Sequence, residues 1–185
     1  YDEQGISTIE PDLKKFLSES TEPPIVFTPG SANTQAAKFF TSAVDACRQL
    51  NHRGLLLTRF PDQIPDSLPI GVHHSTYAPL SEILPHAAAL VHHGGIGTAA
   101  QALRAACPQL VMPMTFDQPD NADRLYRLGV GQFLSPSSFT GQRVAKELDI
   151  LLGSDNVSQA CNTLAQRFVD CDPIGDTCSV IESMD

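Results

Sequence analysis

Apolar residues along the chain follow two spacings that take turns. Short runs at 25–28, 54–58, 87–91, 109–112 and 132–134 are largely apolar, which is the pattern of strands buried on both faces, and Val72 to Ser75 is expected as a further short strand. Between them the period lengthens to that of a helix. Ala36, Phe39, Phe40, Ala43, Val44, Cys47 and Leu50 fall on one stripe behind Asn33, which is expected to be the N-cap. Tyr77-Ala78-Pro79 opens a short helix that Pro85 cuts off, and 99–106 is nearly all helix formers. Further helices are expected over 119–128, with Gly129 as its stop, and over 140–152, 156–171 and 177–184. Strand and helix alternate throughout. The fold class is therefore α/β, a doubly wound parallel sheet of about six strands with helices on both faces.

Two units follow from this pattern. Residues 1–24 are polar and acidic, with one helical patch at Leu13, Phe16 and Leu17, and end in Glu22-Pro23-Pro24; they are expected to be an interdomain linker. Residues 25–185 form one domain, and a chain of 185 residues is long enough to bury a full core. Composition adds exclusions. With 12 Lys and Arg against 21 Asp and Glu, the net charge is −9 and no basic cluster exists, which argues against nucleic acid or an anionic membrane as a general partner. No apolar run is long enough for a bilayer and no basic-plus-apolar leader opens the chain, so a cytoplasmic location is expected. The five cysteines, Cys47, Cys107, Cys161, Cys171 and Cys178, have no metal-site spacing and are expected as free thiols, a Cys171–Cys178 pair being the less favoured alternative.

The chemistry concentrates at Val91-His92-His93-Gly94-Gly95-Ile96-Gly97-Thr98. A strand, a glycine-rich turn and a helix start present unpaired backbone N–H groups and the positive end of a helix dipole, which suit a phosphate. The glycines are expected to let a ligand approach the backbone, while His93 and Thr98 add a ring N–H and a hydroxyl. On its own, Gly-Gly-x-Gly-Thr fits a tight βα turn equally well. In a parallel sheet, however, ligands sit at the carboxyl ends of the strands. Gly30-Ser31, Tyr77-Ala78, 93–98 and Asp117-Gln118 all occupy such ends. Asp117 offers a carboxylate and Gln118 an amide to neutral hydroxyls, unless the pair merely caps a helix before Pro119. Tyr77 is either a platform for a base or a core residue. Ser31 either bonds a phosphate or steadies its turn.

Pro29-Gly30-Ser31, Tyr77-Ala78-Pro79, His93-Gly94-Gly95-Ile96-Gly97-Thr98 and Asp117-Gln118-Pro119-Asp120-Asn121-Ala122 together resemble the C-terminal, donor-binding half of a two-domain GT-B glycosyltransferase. The closest group is that of bacterial antibiotic, sterol and plant secondary-product glycosyltransferases. The resemblance implies a diphosphate site at Ser31, His93, Gly94, Gly95, Gly97 and Thr98. It implies nucleoside contacts at Tyr77, Ala78 and Gln101, and sugar contacts at Asp117 and Gln118. Gln101 stands where plant members place a glutamate, Tyr77 where they place a tryptophan, Leu80 where they place a glutamine and Gly97 where they place an asparagine. These departures favour a bacterial type and leave UDP or dTDP open.

What the resemblance implies is an inverting hexosyltransferase that uses a UDP- or dTDP-sugar, with no cofactor and no metal. Its catalytic base would lie in an N-terminal acceptor-binding half, so that no catalytic residue is expected in this chain and the chain alone is expected to be inactive. The partners expected are the nucleotide-sugar donor and that acceptor half, in the same chain or as a separate subunit. A non-catalytic donor-binding subunit of a split enzyme is the alternative. A sugar-nucleotide 2-epimerase ranks last, since no acidic pair is placed for it.

Overall fold

The computed structural model describes residues 9–169 and 172–184. Six strands form one parallel sheet: β1 (Ile25–Thr28), β2 (Gly54–Leu57), β3 (Val72–Ser75), β4 (Ala89–His92), β5 (Gln109–Val111) and β6 (Gly131–Phe133), in the order β3-β2-β1-β4-β5-β6. Every neighbouring pair is parallel. The order reverses between β1 and β4, which pair from Ile25 against Ala89 to Thr28 against His92. The crevice beyond their carboxyl ends is the topological switch point where such sheets bind ligands.

The alternation of side chains sets two faces. Ile25, Phe27, Leu56, Ala89, Val91 and Leu110 face α2 (Ala37–Leu50) and α6 (Gly141–Leu152). There Phe39 stacks on Phe139 with centroids 5.0 Å apart. Gly141 lets α6 approach α2 closely, since a Cβ there would meet the Cβ of Asp45. The other face, with Val26, Leu55, Leu57 and Leu90, is covered by α1 (Pro11–Ser18), α3 (Leu80–Ile83) and α4 (Ile96–Arg104). A third cluster joins α4 to α5 (Gln118–Arg127) and α7 (Asp155–Ala165) through Ala99, Ala122, Leu125 and Cys161. A last helix, α8 (Pro173–Glu182), follows.

Several elements differ from the sequence pattern. Asn33 is not an N-cap: α2 begins four residues later, and the Asn33 Oδ1 atom accepts the Gln35 amide at 2.9 Å in a local turn. α4 starts at Ile96, three residues ahead of the first alanine, with Gly97 inside its first turn. α7 ends at Ala165 and passes into a 3₁₀ turn, Gln166–Phe168, while α8 starts at Pro173.

Residues 1–8 lie outside the described residues, but from Pro11 onward the segment expected as a linker is packed on the domain. Leu13 and Phe16 are buried, and Phe16 lies between the His73 ring, at 5.1 Å, and the Arg53 guanidinium, at 4.2 Å. Arg53 also donates to the carbonyls of Phe16, Ser20 and Glu22. Cys47, Cys107, Cys161 and Cys178 are free thiols, and Cys171 lies outside the described residues. Burial pushes Cys47 and Cys107 up to about 12, which makes them inert core residues.

Candidate functional site

The loops after β1, β4 and β5 meet at the switch point. Asn33, behind β1, donates from Nδ2 to the Met114 sulfur, behind β5, at 3.8 Å. Ser31, 93–98 and Asp117-Gln118 therefore surround one crevice on three adjacent strands. Tyr77 and Ala78 follow β3, which is the edge strand and is separated from β4 by β2 and β1. Ala78 is buried in the core, while Tyr77 is 42% exposed.

The glycines of the turn serve two different ends. A Cβ on Gly30 would lie 2.9 Å from the His93 Cε1 atom, and one on Gly95 would lie 2.7 Å from its Nε2 atom. Both therefore make room for the His93 ring. Gly30 also sits at φ +98°, where side chains are strained. Gly97 is different. A Cβ there would meet nothing within 4 Å. It occupies the first turn of α4, whose N-cap, Gly95, supplies no side-chain cap. The amides of Ile96, Gly97 and Thr98 are thus the unpaired donors that every helix start carries.

Gly94 is used up by the protein itself. At φ +94° its N–H donates to His92 Nδ1 at 3.1 Å and its carbonyl accepts from Asn121 Nδ2 at 2.9 Å. Its amide is therefore already engaged within the protein, and at this φ the residue turns the chain. His92 is fully buried, and its Nε2 atom lies 3.0 Å from Gln109 Oε1. Since the Gly94 N–H can only donate, Nδ1 is the acceptor and the ring proton sits on Nε2. Burial, with His93 nearby, pushes the His92 pKa down to about 3. His93 is also held below the ordinary histidine value by burial, against an opposing pull from Asp117. Both rings are neutral at physiological pH. The His93 Nδ1 and Gln101 Oε1 atoms are buried with no hydrogen-bond partner in the protein.

Asp117 stands at the N-cap position of α5 but its side chain caps nothing. Its Oδ2 atom accepts from Asn121 Nδ2 at 2.8 Å. Gln118 accepts the amides of Met114 and Thr115 through Oε1, at 2.9 and 3.2 Å, which leaves only its Nε2 donors for a ligand. The sequence pattern did not single out His92, Gln109 or Asn121 for a role. The signal was a histidine closing an otherwise apolar strand and a glutamine opening the next.

Among the described residues, no group of His, Cys, Asp and Glu is arranged to hold a metal ion, and no helix is long and apolar enough to cross a membrane.

Residues 57–175 match the family model described as erythromycin biosynthesis protein CIII-like, C-terminal domain. The chain is 39% identical over 121 residues to the O-mycaminosyltylonolide 6-deoxyallosyltransferase of Streptomyces fradiae, covering 64% of this chain and 28% of that protein. It is 36% identical over 130 residues to the vancomycin aglycone glucosyltransferase of Amycolatopsis orientalis, covering 66% of this chain and 30% of the other. The chain thus spans under a third of the length of these relatives. Among solved structures, the spinosyn forosaminyltransferase superposes with a TM-score of 0.80 at 21% identity, over 96% of this chain and 47% of that one. The all-parallel sheet is the Rossmann-like half of a GT-B fold, as the motifs implied. On fold and sequence together, the chain belongs to the family of erythromycin biosynthesis protein CIII-like C-terminal domains.

Proposed function

We propose that this chain is the nucleotide-sugar donor-binding domain of an inverting glycosyltransferase, which moves a hexose from a UDP- or dTDP-sugar to an acceptor hydroxyl. The observation that carries this reading is the first turn of α4. Its amides are uncapped, no other part of the protein comes within 4 Å of a Cβ at Gly97, and the His93 ring, whose Nε2 atom lies against Gly95, stands beside it. A diphosphate fits that combination: it accepts several N–H bonds and favours the positive end of the helix dipole. The relatives' names, a deoxyallosyltransferase and a glucosyltransferase, point to sugar transfer.

In the reaction, the acceptor oxygen attacks the anomeric carbon while the bond to the diphosphate breaks and its electron pair leaves with the phosphate. The preorganised amides of Gly95, Ile96, Gly97 and Thr98 and the neutral His93 ring stabilise that growing charge. Ser31 adds a hydroxyl from the neighbouring loop. Asp117 accepts from the sugar hydroxyls and Gln118 donates to them. Gln101, in the second turn of α4, bonds the ribose, and the segment at Tyr77-Ala78 receives the base.

The proton of the acceptor goes to a base in the acceptor-binding half. His74 bonds the Thr58 carbonyl at 2.9 Å and His52 lies beside Glu22, so neither faces the crevice. Titration calorimetry of the chain with UDP and dTDP tests the reading. Weak binding is expected, since the other wall of the cleft is contributed by the acceptor half. No heat from either nucleotide at millimolar concentration would remove the assignment.

A further inference from the structure

The polar groups beneath the crevice form one continuous chain. Gln109 Oε1 accepts from His92 Nε2, His92 Nδ1 accepts the Gly94 amide, Asn121 Nδ2 donates to the Gly94 carbonyl, and the same nitrogen donates to Asp117 Oδ2. The distances run 3.0, 3.1, 2.9 and 2.8 Å. Both peptide groups of Gly94 are thereby fixed by side chains. Nothing else in the turn has this double attachment, and the φ of +94° makes the turn dependent on it, because no regular helix or strand enforces that geometry. The space around Gly94 is closed as well: a Cβ would lie 2.9 Å from Val111 Cγ1 and 3.2 Å from the Gln118 carbonyl.

We propose that His92 and Asn121 are positioning residues that clamp Gly94 from opposite sides, and that Asn121 couples the diphosphate turn to the sugar-binding Asp117. His92 acts from the buried side as an acceptor of fixed tautomer, oriented by Gln109. Its full burial keeps water from competing for the Gly94 amide. Asn121 acts from the helix side. By holding the turn and the carboxylate with one nitrogen, it sets the spacing between the group that bonds the phosphate and the group that bonds the hexose. The role rests on the reading of this crevice as a donor site. It adds that the distance between the two halves of the donor is fixed by a side chain that touches neither.

The test uses the 185-residue chain, UDP, dTDP and their glucose conjugates in titration calorimetry, with nitrogen NMR of the histidines. His92→Asn keeps an acceptor near the Nδ1 position; His92→Phe does not. Removing one such bond is expected to weaken nucleotide binding roughly three- to tenfold in His92→Phe and Asn121→Ala, with recovery to within about twofold in His92→Asn. In Asn121→Ala the glucose conjugate loses more than the bare diphosphate, because Asp117 is also released. The His92 spectrum shows an Nε2-protonated ring that stays neutral from about pH 7.5 to about pH 5. Rescue by Asn in binding, with thermal stability still lowered, separates positioning from folding.

If His92→Phe does not fold, Asn121→Ala, on a helix surface, decides alone. Wild-type affinity in Asn121→Ala, equal losses for both ligands there, an Nδ1-protonated His92, or an affinity in His92→Asn no better than that of a folded His92→Phe overturns the clamp and leaves the donor site standing. Failure of the unmodified chain to bind either nucleotide overturns the donor site and the clamp with it.

Discussion

Gly30 and His93 occupy each other's space: a single Cβ on Gly30 would lie 2.9 Å from the His93 ring, although the two residues close different strands. Gly30→Ala therefore has two consequences. The backbone at φ +98° becomes strained and the ring must move, at a combined cost of roughly 1–3 kcal/mol. Urea denaturation is expected to show that loss, and calorimetry a parallel loss of UDP or dTDP affinity. Loss of stability with unchanged affinity would show that the ring position does not matter to the ligand.

His93→Ala is expected to leave the domain folded and to weaken diphosphate binding. A hydrogen bond to a charged group contributes about 1.5–3 kcal/mol, or roughly tenfold or more in affinity. If His93 only fills the gap between Gly30 and Gly95, the melting temperature falls and the affinity of the folded fraction holds.

Gly97→Ala separates ligand from fold most cleanly. Beyond its own stretch of helix no part of the protein lies within 4 Å of the added methyl, so the helix gains up to roughly 0.5–1 kcal/mol of propensity. The methyl would stand where the diphosphate approaches the backbone. The expected variant melts higher and binds less. Higher stability with full binding would place the phosphate elsewhere.

Asp117→Asn distinguishes the sugar from the nucleotide. Since the Asp117 side chain caps no helix, its loss should spare α5. Affinity for UDP or dTDP is expected to persist while the added affinity of the sugar conjugate disappears. Equal losses for both ligands would assign Asp117 to holding Asn121 in place.

Acid should unfold this domain through its histidines. The folded-state pKa of His92 is about 3, below the ordinary value of 6.5, so the unfolded chain binds a proton that the folded one refuses. The His92 contribution is intact above about pH 6.5 and is lost progressively as pH falls toward 3, by up to about 1.4 kcal/mol per unit. His93 and His73 shift in the same direction, both through burial. Denaturation curves between pH 7 and 4 should flatten in His92→Asn. An unchanged slope would mean that His92 is protonated in the folded state.

Much of this was legible in the sequence. β1 falls where its apolar run places it, β3 coincides with the short strand expected at 72–75, and Gly129 stops α5 from the left-handed region as a helix-ending glycine does. The crevice was legible because parallel strands collect their loops at one end. The clamp was not. His92 and Gln109 meet only because β4 and β5 are neighbours, in a register that sets Leu90 against Gln109, and no periodicity encodes strand order. Nor did composition show that Gly30 and Gly95 yield to a histidine while Gly97 yields to open space. All three look alike until the ring between the first two is placed.

The pairing of β1 with β4 also has a kinetic side. The crevice is built on the junction of two strands distant in sequence, with β2, β3 and several helices in between, so it closes only when that long-range contact forms. The central strands of a sheet are usually the last to open in native-state hydrogen exchange. The amides of Val26, Phe27, Leu90 and Val91 should thus exchange only through global unfolding, and nucleotide should slow them by the amount it stabilises the whole domain. The α8 helix, far from that junction in the chain, should exchange freely whether or not ligand is present.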